Sequence, residues 1–341
     1  MPQQVTTKDA LADALAEALS ERYNSPVTID NMLAVAAGAS RDTWSFDATE
    51  GDGTCHELVL KRDPPATKLA VDGVVQVTHG IDRMSEARLM ELAGEAGVPE
   101  PDVVMVSQPE SAIGAGFVMT RIAGESLGGR IVRKDEFAAA RDVLAYQCGQ
   151  ALARCHAIDK DKLPDLKVLS PLEHLRLYTR TLDWLDTPQP GFEYGAKWLQ
   201  ERIELAGGRQ TLVHGDFRNG NLLVDDKGLT TVLDWELGHI GDPMCDLGWL
   251  CVRSWRYGVI DKPVGGFGTR EELFKGYEDA GGPTVDPEIV RYWEIFGCLR
   301  WGLMCLQMGY AHLSHSYRSI ERAVIARRAS ETEYDLMQLL D

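Results

Sequence analysis

The stretch Thr211-Leu212-Val213-His214-Gly215-Asp216-Phe217-Arg218-Asn219-Gly220-Asn221, with its sequel to Asp234, constrains this chain more than any other feature. An apolar strand carries His214 and Asp216 into a loop, and Asn221 follows shortly after. Leu222-Leu223-Val224 predicts another strand, Asp225-Asp226-Lys227-Gly228 a turn, and Thr231-Val232-Leu233 an antiparallel return. The span from Asn221 to Asp234 is the length of one short hairpin, so Asp234 comes back beside the loop that holds Asp216 and Asn221. A single loop Asp usually serves a turn or a cap. Two carboxylates and an amide gathered at one end of a β-ribbon point to chemistry instead.

The chemistry they suit is phosphoryl transfer from ATP. That reaction needs a group that positions or deprotonates the attacking hydroxyl, cations on the phosphates, and one or two Mg²⁺ ions. Mg²⁺ is a hard cation that takes one or two protein carboxylate or amide oxygens and fills its shell with phosphate oxygens and water. ATP and Mg²⁺ are therefore the expected cofactors.

Around this centre the pattern predicts an α+β chain. Leu11, Leu15 and Leu19 mark a helix over residues 8–23, capped by Thr6 or Thr7. Strands are predicted over residues 27–35, 43–49 and 56–61, with Trp44 and Phe46 on one face and a Gly51-Asp52-Gly53 turn. A helix over residues 82–93, capped by Asp82 and stopped by Gly97-Val98-Pro99, precedes strands at 103–107 and 117–122. Beyond Gly124 the chain turns helical, at residues 138–157, 171–185, 192–206 and from Pro287 onward. The expectation is a five-stranded antiparallel sheet with one inserted helix over residues 1–123, then a mainly helical part with a short β-hairpin over residues 124–341. A ligand would lie in the cleft between the two.

At this point the residues resemble the aminoglycoside phosphotransferase and choline kinase group, which shares the bilobal protein-kinase-like fold. His214-Gly215-Asp216 through Asn221 is similar to its catalytic loop, and Asp234-Trp235-Glu236 stands where protein kinases carry Asp-Phe-Gly. Gly241-Asp242-Pro243 and Asp246-Leu247-Gly248 also fit. Ser40-Arg41-Asp42-Thr43-Trp44, Gln147-Cys148-Gly149 and His156-Ala157-Ile158 look closest to the phosphotransferases found beside, or fused to, acyl-CoA dehydrogenases. The resemblance implies that Asp216 is the base or hydroxyl positioner and that Asn221 and Asp234 are Mg²⁺ ligands. It implies support roles for His214 and for Asp246, which would accept backbone N–H groups of the loop. Glu236 either reaches a metal through water or makes an exposed salt bridge. Arg218 occupies the place of a protein-kinase lysine; it either stabilises charge on the γ-phosphoryl group or makes a loop salt bridge.

On the nucleotide side the resemblance points to Lys61 as the phosphate-binding lysine and to Glu86 as its partner. Ser40, between the first two strands, offers a backbone N–H to phosphate. The Thr120 carbonyl and the Ile122 N–H match the adenine-binding positions, with Met119 behind them. The acceptor side is thinner. Trp184, Tyr194 and Trp198 are either walls of the acceptor site or core. Arg300, beside Trp301 among apolar neighbours, needs a substrate anion or an internal carboxylate.

The 341 residues carry a net charge of −17, which excludes nucleic acid and anionic membranes as expected partners. Seven cysteines without a C-x-x-C pair read as a reducing, cytoplasmic protein, with Cys148 and Cys155 as core. Neither a signal peptide nor a membrane span is expected. The expected activity is ATP-dependent phosphorylation of a small-molecule hydroxyl, on a hydroxylated acyl metabolite or an aminoglycoside-like compound. A regulatory ATP-binding module and a protein kinase are the alternatives. Intact Asp216, Asn221, Asp234 and Lys61 oppose the first, and the helical insertion before the loop and the lack of Ala-Pro-Glu oppose the second.

Overall fold

The structure, a computed structural model, describes residues 4–35, 42–64, 80–185, 187–316 and 318–340. Its first part is α1 (Lys8–Tyr23), β1 (Val27–Ala34), β2 (Asp42–Glu50), β3 (Cys55–Arg62), α2 (Arg83–Glu95), β4 (Val103–Ser107) and β5 (Gly116–Thr120). The strands form one antiparallel sheet in the order β1-β2-β3-β5-β4. Thr7 caps α1 by accepting the Ala10 N–H, and Asn24 closes it in the left-handed region.

Leu11, Leu15 and Leu19 are fully buried and pack on Phe46, Leu58, Leu60 and Val118. Trp44 joins that layer, as the two-residue period predicts. The same period turns Val59 and Lys61 to the opposite face, where α2 packs. Asp82 caps α2 through the Ser85 N–H at 2.9 Å. The first turn of α2 then sets Glu86, fully buried, in front of Lys61.

The second part runs α3 (Gly128–Ile131), α4 (Ala138–His156), α5 (Pro171–Trp184), α6 (Pro190–Glu201), β6 (Thr211–Val213), β7 (Leu222–Val224), β8 (Leu229–Val232), β9 (His239–Gly241), α7 (Met244–Cys251), α8 (Arg270–Asp279), α9 (Pro287–Leu313), α10 (Ile320–Ala326) and α11 (Arg328–Leu340). A continuous apolar core joins α4, α7 and α9, and includes Cys148 and Cys155. Gly149 and Gly276 bring α4 and α8 into backbone contact. A Cβ on Gly149 would lie 2.2 Å from the Leu273 carbonyl.

Several elements depart from the sequence expectation, among them α3, α7 and α8, which had no place in it. β5 stops at Thr120, leaving Ile122 outside the ladder. The helix expected at 192–206 ends at Glu201, and a single 3₁₀ turn follows. The strand β9 pairs with β6 and had no sequence signal, because three residues are too short to show a period.

Candidate active site

The site is assembled by two short β-ribbons and one helix. β6 and β9 pair antiparallel, and the chain leaves β6 at Val213 straight into His214-Gly215-Asp216. Gly215 has φ +81°, and a Cβ there would meet the Leu237 carbonyl at 2.3 Å, so only glycine makes this turn without strain. β7 and β8 form the predicted hairpin. Beyond it the Leu233 N–H bonds the Asn221 carbonyl at 2.8 Å, so Asp234 emerges next to Asn221. Asp234 itself adopts φ 75° and ψ 64°, a left-handed conformation that costs a non-glycine residue energy and marks a constrained position.

The loop is braced from below by Asp246 on α7. Its carboxylate accepts the His214 N–H at 2.8 Å and the Gly215 N–H at 2.9 Å, and lies 3.1 Å from His156 Nε2. Burial pushes this carboxyl up, yet the His156 hydrogen bond and charge, with the Gly215 N–H, hold it below the ordinary carboxylate range. His214 is fully buried. Its Nδ1 accepts the Asp216 N–H at 3.2 Å, and its Nε2 donates to the Leu233 carbonyl at 3.2 Å. These bonds require the neutral ring, and burial pushes its pKa down accordingly. His214 thereby staples the loop to the end of the hairpin.

Asp216 is held on both oxygens. Oδ2 accepts from Asn221 Nδ2 at 2.6 Å, and Oδ1 accepts from Trp249 Nε1 at 2.8 Å. Asn221 Nδ2 also reaches the Asp216 carbonyl at 3.0 Å. With its amide nitrogen so engaged, Asn221 has Oδ1 left to offer a cation. Arg218 places Nε 3.2 Å from Asp216 Oδ1, and its guanidinium lies 4.7 Å from the Trp255 ring centroid. The loop ion pair left open by the sequence therefore forms, and it forms with Asp216.

From the sheet side, Lys61 Nζ bonds Glu86 and lies 3.0 Å from Asp234 Oδ1. Arg83 holds the other Glu86 oxygen. A cation thus links the sheet, α2 and the hairpin end. Met119 pairs opposite Val59 and so shares the Lys61 face. The Thr120 hydroxyl accepts the Asp102 N–H at 3.0 Å and fixes the end of β5. Ile122 is exposed just beyond. Ser40 and Arg41 lie outside the described residues.

The residues present fit a Mg²⁺ ion: Asn221 Oδ1 and Asp234 are neighbouring hard oxygen donors with a single carboxylate. Among the described residues there is no group of three acidic, His or Cys side chains able to hold a metal alone. That suits an ion whose remaining ligands come from phosphate and water.

On the acceptor side the structure corrects one expectation and adds a residue. Arg300 is 1% exposed and has no carboxylate among its described ion pairs. It donates from Nη1 to the Gly215 carbonyl at 2.8 Å, so it backs the loop and does not face a cleft. Its neighbour Trp301 is half-buried against Trp255, ring centroids 4.9 Å apart. Trp184 packs edge-on to Tyr310, Trp198 lies under Arg202, and Tyr194 is exposed. Trp249 was not singled out in the sequence. Its only signal is that it follows Asp246 by one helical turn and so shares its face.

The antiparallel sheet, the braced loop and the returning hairpin define a phosphotransferase of the kinase-like fold. The model of the phosphotransferase enzyme family matches residues 31–285, and the chain belongs to that family. It is 28% identical over 287 residues to acyl-CoA dehydrogenase family member 10 of Mus musculus, a match covering 76% of this chain and 25% of that protein. The chain thus spans about a quarter of the length of this relative. Among solved structures, a choline/ethanolamine kinase family protein from Mesorhizobium loti superimposes with a TM-score of 0.62 at 19% identity, covering 98% of this chain and 94% of that one. A thermostable mutant of the aminoglycoside phosphotransferase APH(4)-Ia, in ternary complex with AMP-PNP and hygromycin B, gives 0.58 at 16% identity, covering 96% and 98%.

Proposed function

We propose that this chain is an ATP-dependent kinase that phosphorylates a hydroxyl of a small molecule, in the cleft between residues 1–123 and 124–341. One observation carries the reading: Lys61 bridges Glu86 and Asp234 on one side, while Asp216 and Asn221 are bonded to each other on the other. Such an arrangement offers a cation for phosphate, an oxygen pair for metal and a carboxylate for the attacking hydroxyl within one constellation. A solved neighbour captured with AMP-PNP supports ATP as donor.

In this reading Asp216 orients the acceptor hydroxyl and receives its proton as the oxygen attacks the γ-phosphorus and the bond to ADP breaks. Asn221 and Asp234 would hold Mg²⁺, which would supply charge to offset that of the phosphates. Lys61, positioned by Glu86, contacts the phosphates. Arg218 leaves Asp216 when the acceptor enters and offsets charge on the moving phosphoryl group. Adenine lies against Met119 and bonds the Thr120 carbonyl and the Ile122 N–H. Kinship with a protein named for acyl-CoA dehydrogenation supports a hydroxylated acyl acceptor, and hygromycin B in the solved neighbour keeps polyhydroxylated amines as the competitor.

The test is Mg²⁺-ATP turnover across a panel of hydroxyacyl compounds, amino alcohols and aminoglycosides, with Asp216→Asn as control. Acceptor-dependent ADP release by the wild type alone is expected. Tight ATP binding with no turnover on any acceptor would replace the kinase by a regulatory module. Unchanged kcat in Arg218→Ala would remove Arg218 from the reaction.

A further inference from the structure

Arg300 poses a problem that the activity alone does not solve. It sits on α9, 1% exposed, with a full charge and no ion-pair partner among the described residues. Among the described residues, Nη1 donates to the Gly215 carbonyl, while Nε and Nη2 have no hydrogen-bond partner. Burying an unpaired cation is costly, and an apolar side chain of the same length would fill the space at no such penalty. The guanidinium is not idle, however. It lies 4.2 Å from the centroid of Trp249 and 5.2 Å from that of Tyr178. Trp249, 2% exposed, directs its only polar atom at Asp216 Oδ1, 2.8 Å away. The unpaired cation and the reactive carboxylate are therefore the two ends of one contact chain, with a single indole between them.

We infer that Trp249 is a positioning residue for Asp216 and that Arg300 strengthens it, a reading that rests on the assignment of Asp216 above. The physics has two parts. A cation against an indole face draws π-electron density toward itself and makes the N–H a stronger donor. That donor occupies one Asp216 oxygen, while Asn221 occupies the other, so the carboxylate has one orientation and no freedom to turn. One attachment comes from the helical core, since α7 supplies Trp249 and, one turn earlier, the Asp246 brace under the same loop; the other, Asn221, comes from the loop itself. Arg300 adds a third tie through Gly215. The base is thus fixed independently of nucleotide and acceptor, which is the preorganisation that a proton-accepting group needs.

Trp249→Phe keeps the ring and the Arg300 contact but deletes the donor. Turnover of Mg²⁺-ATP, with the best acceptor found or with water alone, is expected to fall about tenfold or more, the usual effect of one hydrogen bond to a charged group, while KM for ATP stays within twofold. A residue that only supports the fold would move both, or neither. The second readout needs no turnover. In ¹H–¹⁵N spectra one of the eight tryptophan indole N–H signals should vanish in Trp249→Phe and move upfield in Asp216→Asn, while those of Trp44, Trp235 and Trp293, which also donate to carboxylates, stay in place. Arg300→Met should move it upfield by a smaller amount. An indole signal indifferent to Asp216→Asn, or wild-type kcat in Trp249→Phe, overturns the inference. If the wild type turns over no acceptor, the kinase reading fails by itself and the resonance still decides whether Trp249 holds Asp216. Should Trp249→Phe not fold, the comparison of wild type with Asp216→Asn stands alone, since a single displaced indole signal suffices.

Discussion

At the residue scale the site is a division of labour between groups of similar type set in different surroundings. Asp246 is buried, receives two backbone N–H groups and braces the loop. Asp216 is partly open and is held by side chains alone. Asp234 is strained, half-buried and touched by Lys61. Burial and donor type separate three aspartates that the sequence writes identically. Asp216→Asn should therefore abolish most transfer, by about 10²–10⁴-fold, with ATP-analogue affinity preserved. Asp234→Ala should instead weaken Mg²⁺-dependent nucleotide binding itself. Calorimetric titration with AMP-PNP, with and without Mg²⁺, separates the two, and equal affinity in wild type and Asp234→Ala would contradict the metal assignment. The motif residues were legible because spacing and strand context coincide. Trp249 and the fate of Arg300 were not, since their partners lie 33 and 85 residues away in sequence.

Elements decide how those residues are held. The β6–β9 ribbon carries His239 directly opposite Val213, the residue that leads into the His214–Asn221 loop. His239 is fully buried, and burial lowers its pKa to about 4. The sign follows from linkage. The unfolded chain binds a proton near the ordinary histidine value of about 6.5 and the folded chain does not, so stability is full above that pH and is lost as pH falls toward 4. The loss is on the order of 3 kcal/mol when complete. Denaturant midpoints should drop between pH 7 and 4.5, and His239→Gln should flatten that slope. A slope equal to wild type would show that other groups set it. The α4–α8 contact makes a different prediction. Gly149→Ala forces two helix backbones apart and should cost ~1–3 kcal/mol in urea denaturation, with active-site chemistry intact if the protein is saturated with nucleotide. The sequence pattern located α4 well from its apolar spacing. It could not show that Gly149 and Gly276 face each other, because a glycine carries no hydropathy signal for a crossing.

For the whole molecule, Lys61 ties the sheet and α2 to the hairpin of the helical part, so nucleotide should stabilise both parts together. Mg²⁺-ATP at about 100 times its dissociation constant adds ~2.7 kcal/mol, seen as a melting-temperature rise of several degrees that vanishes without Mg²⁺. Lys61→Met should lose most of that rise, and a rise kept in full would remove Lys61 from the nucleotide. None of the described helices is long and apolar enough to cross a membrane. The sequence by itself determined the reaction class, the five-stranded sheet and the motif residues. Strand alternation, helix caps and the length of one hairpin are local properties, and together they force Asp216, Asn221 and Asp234 to one place. Tertiary structure alone decided what surrounds them: β9 closing the ribbon, Trp249 reaching Asp216, and Arg300 buried beneath the loop it supports. Those contacts join distant segments through packing, and the free energy of packing has no periodic imprint along a chain.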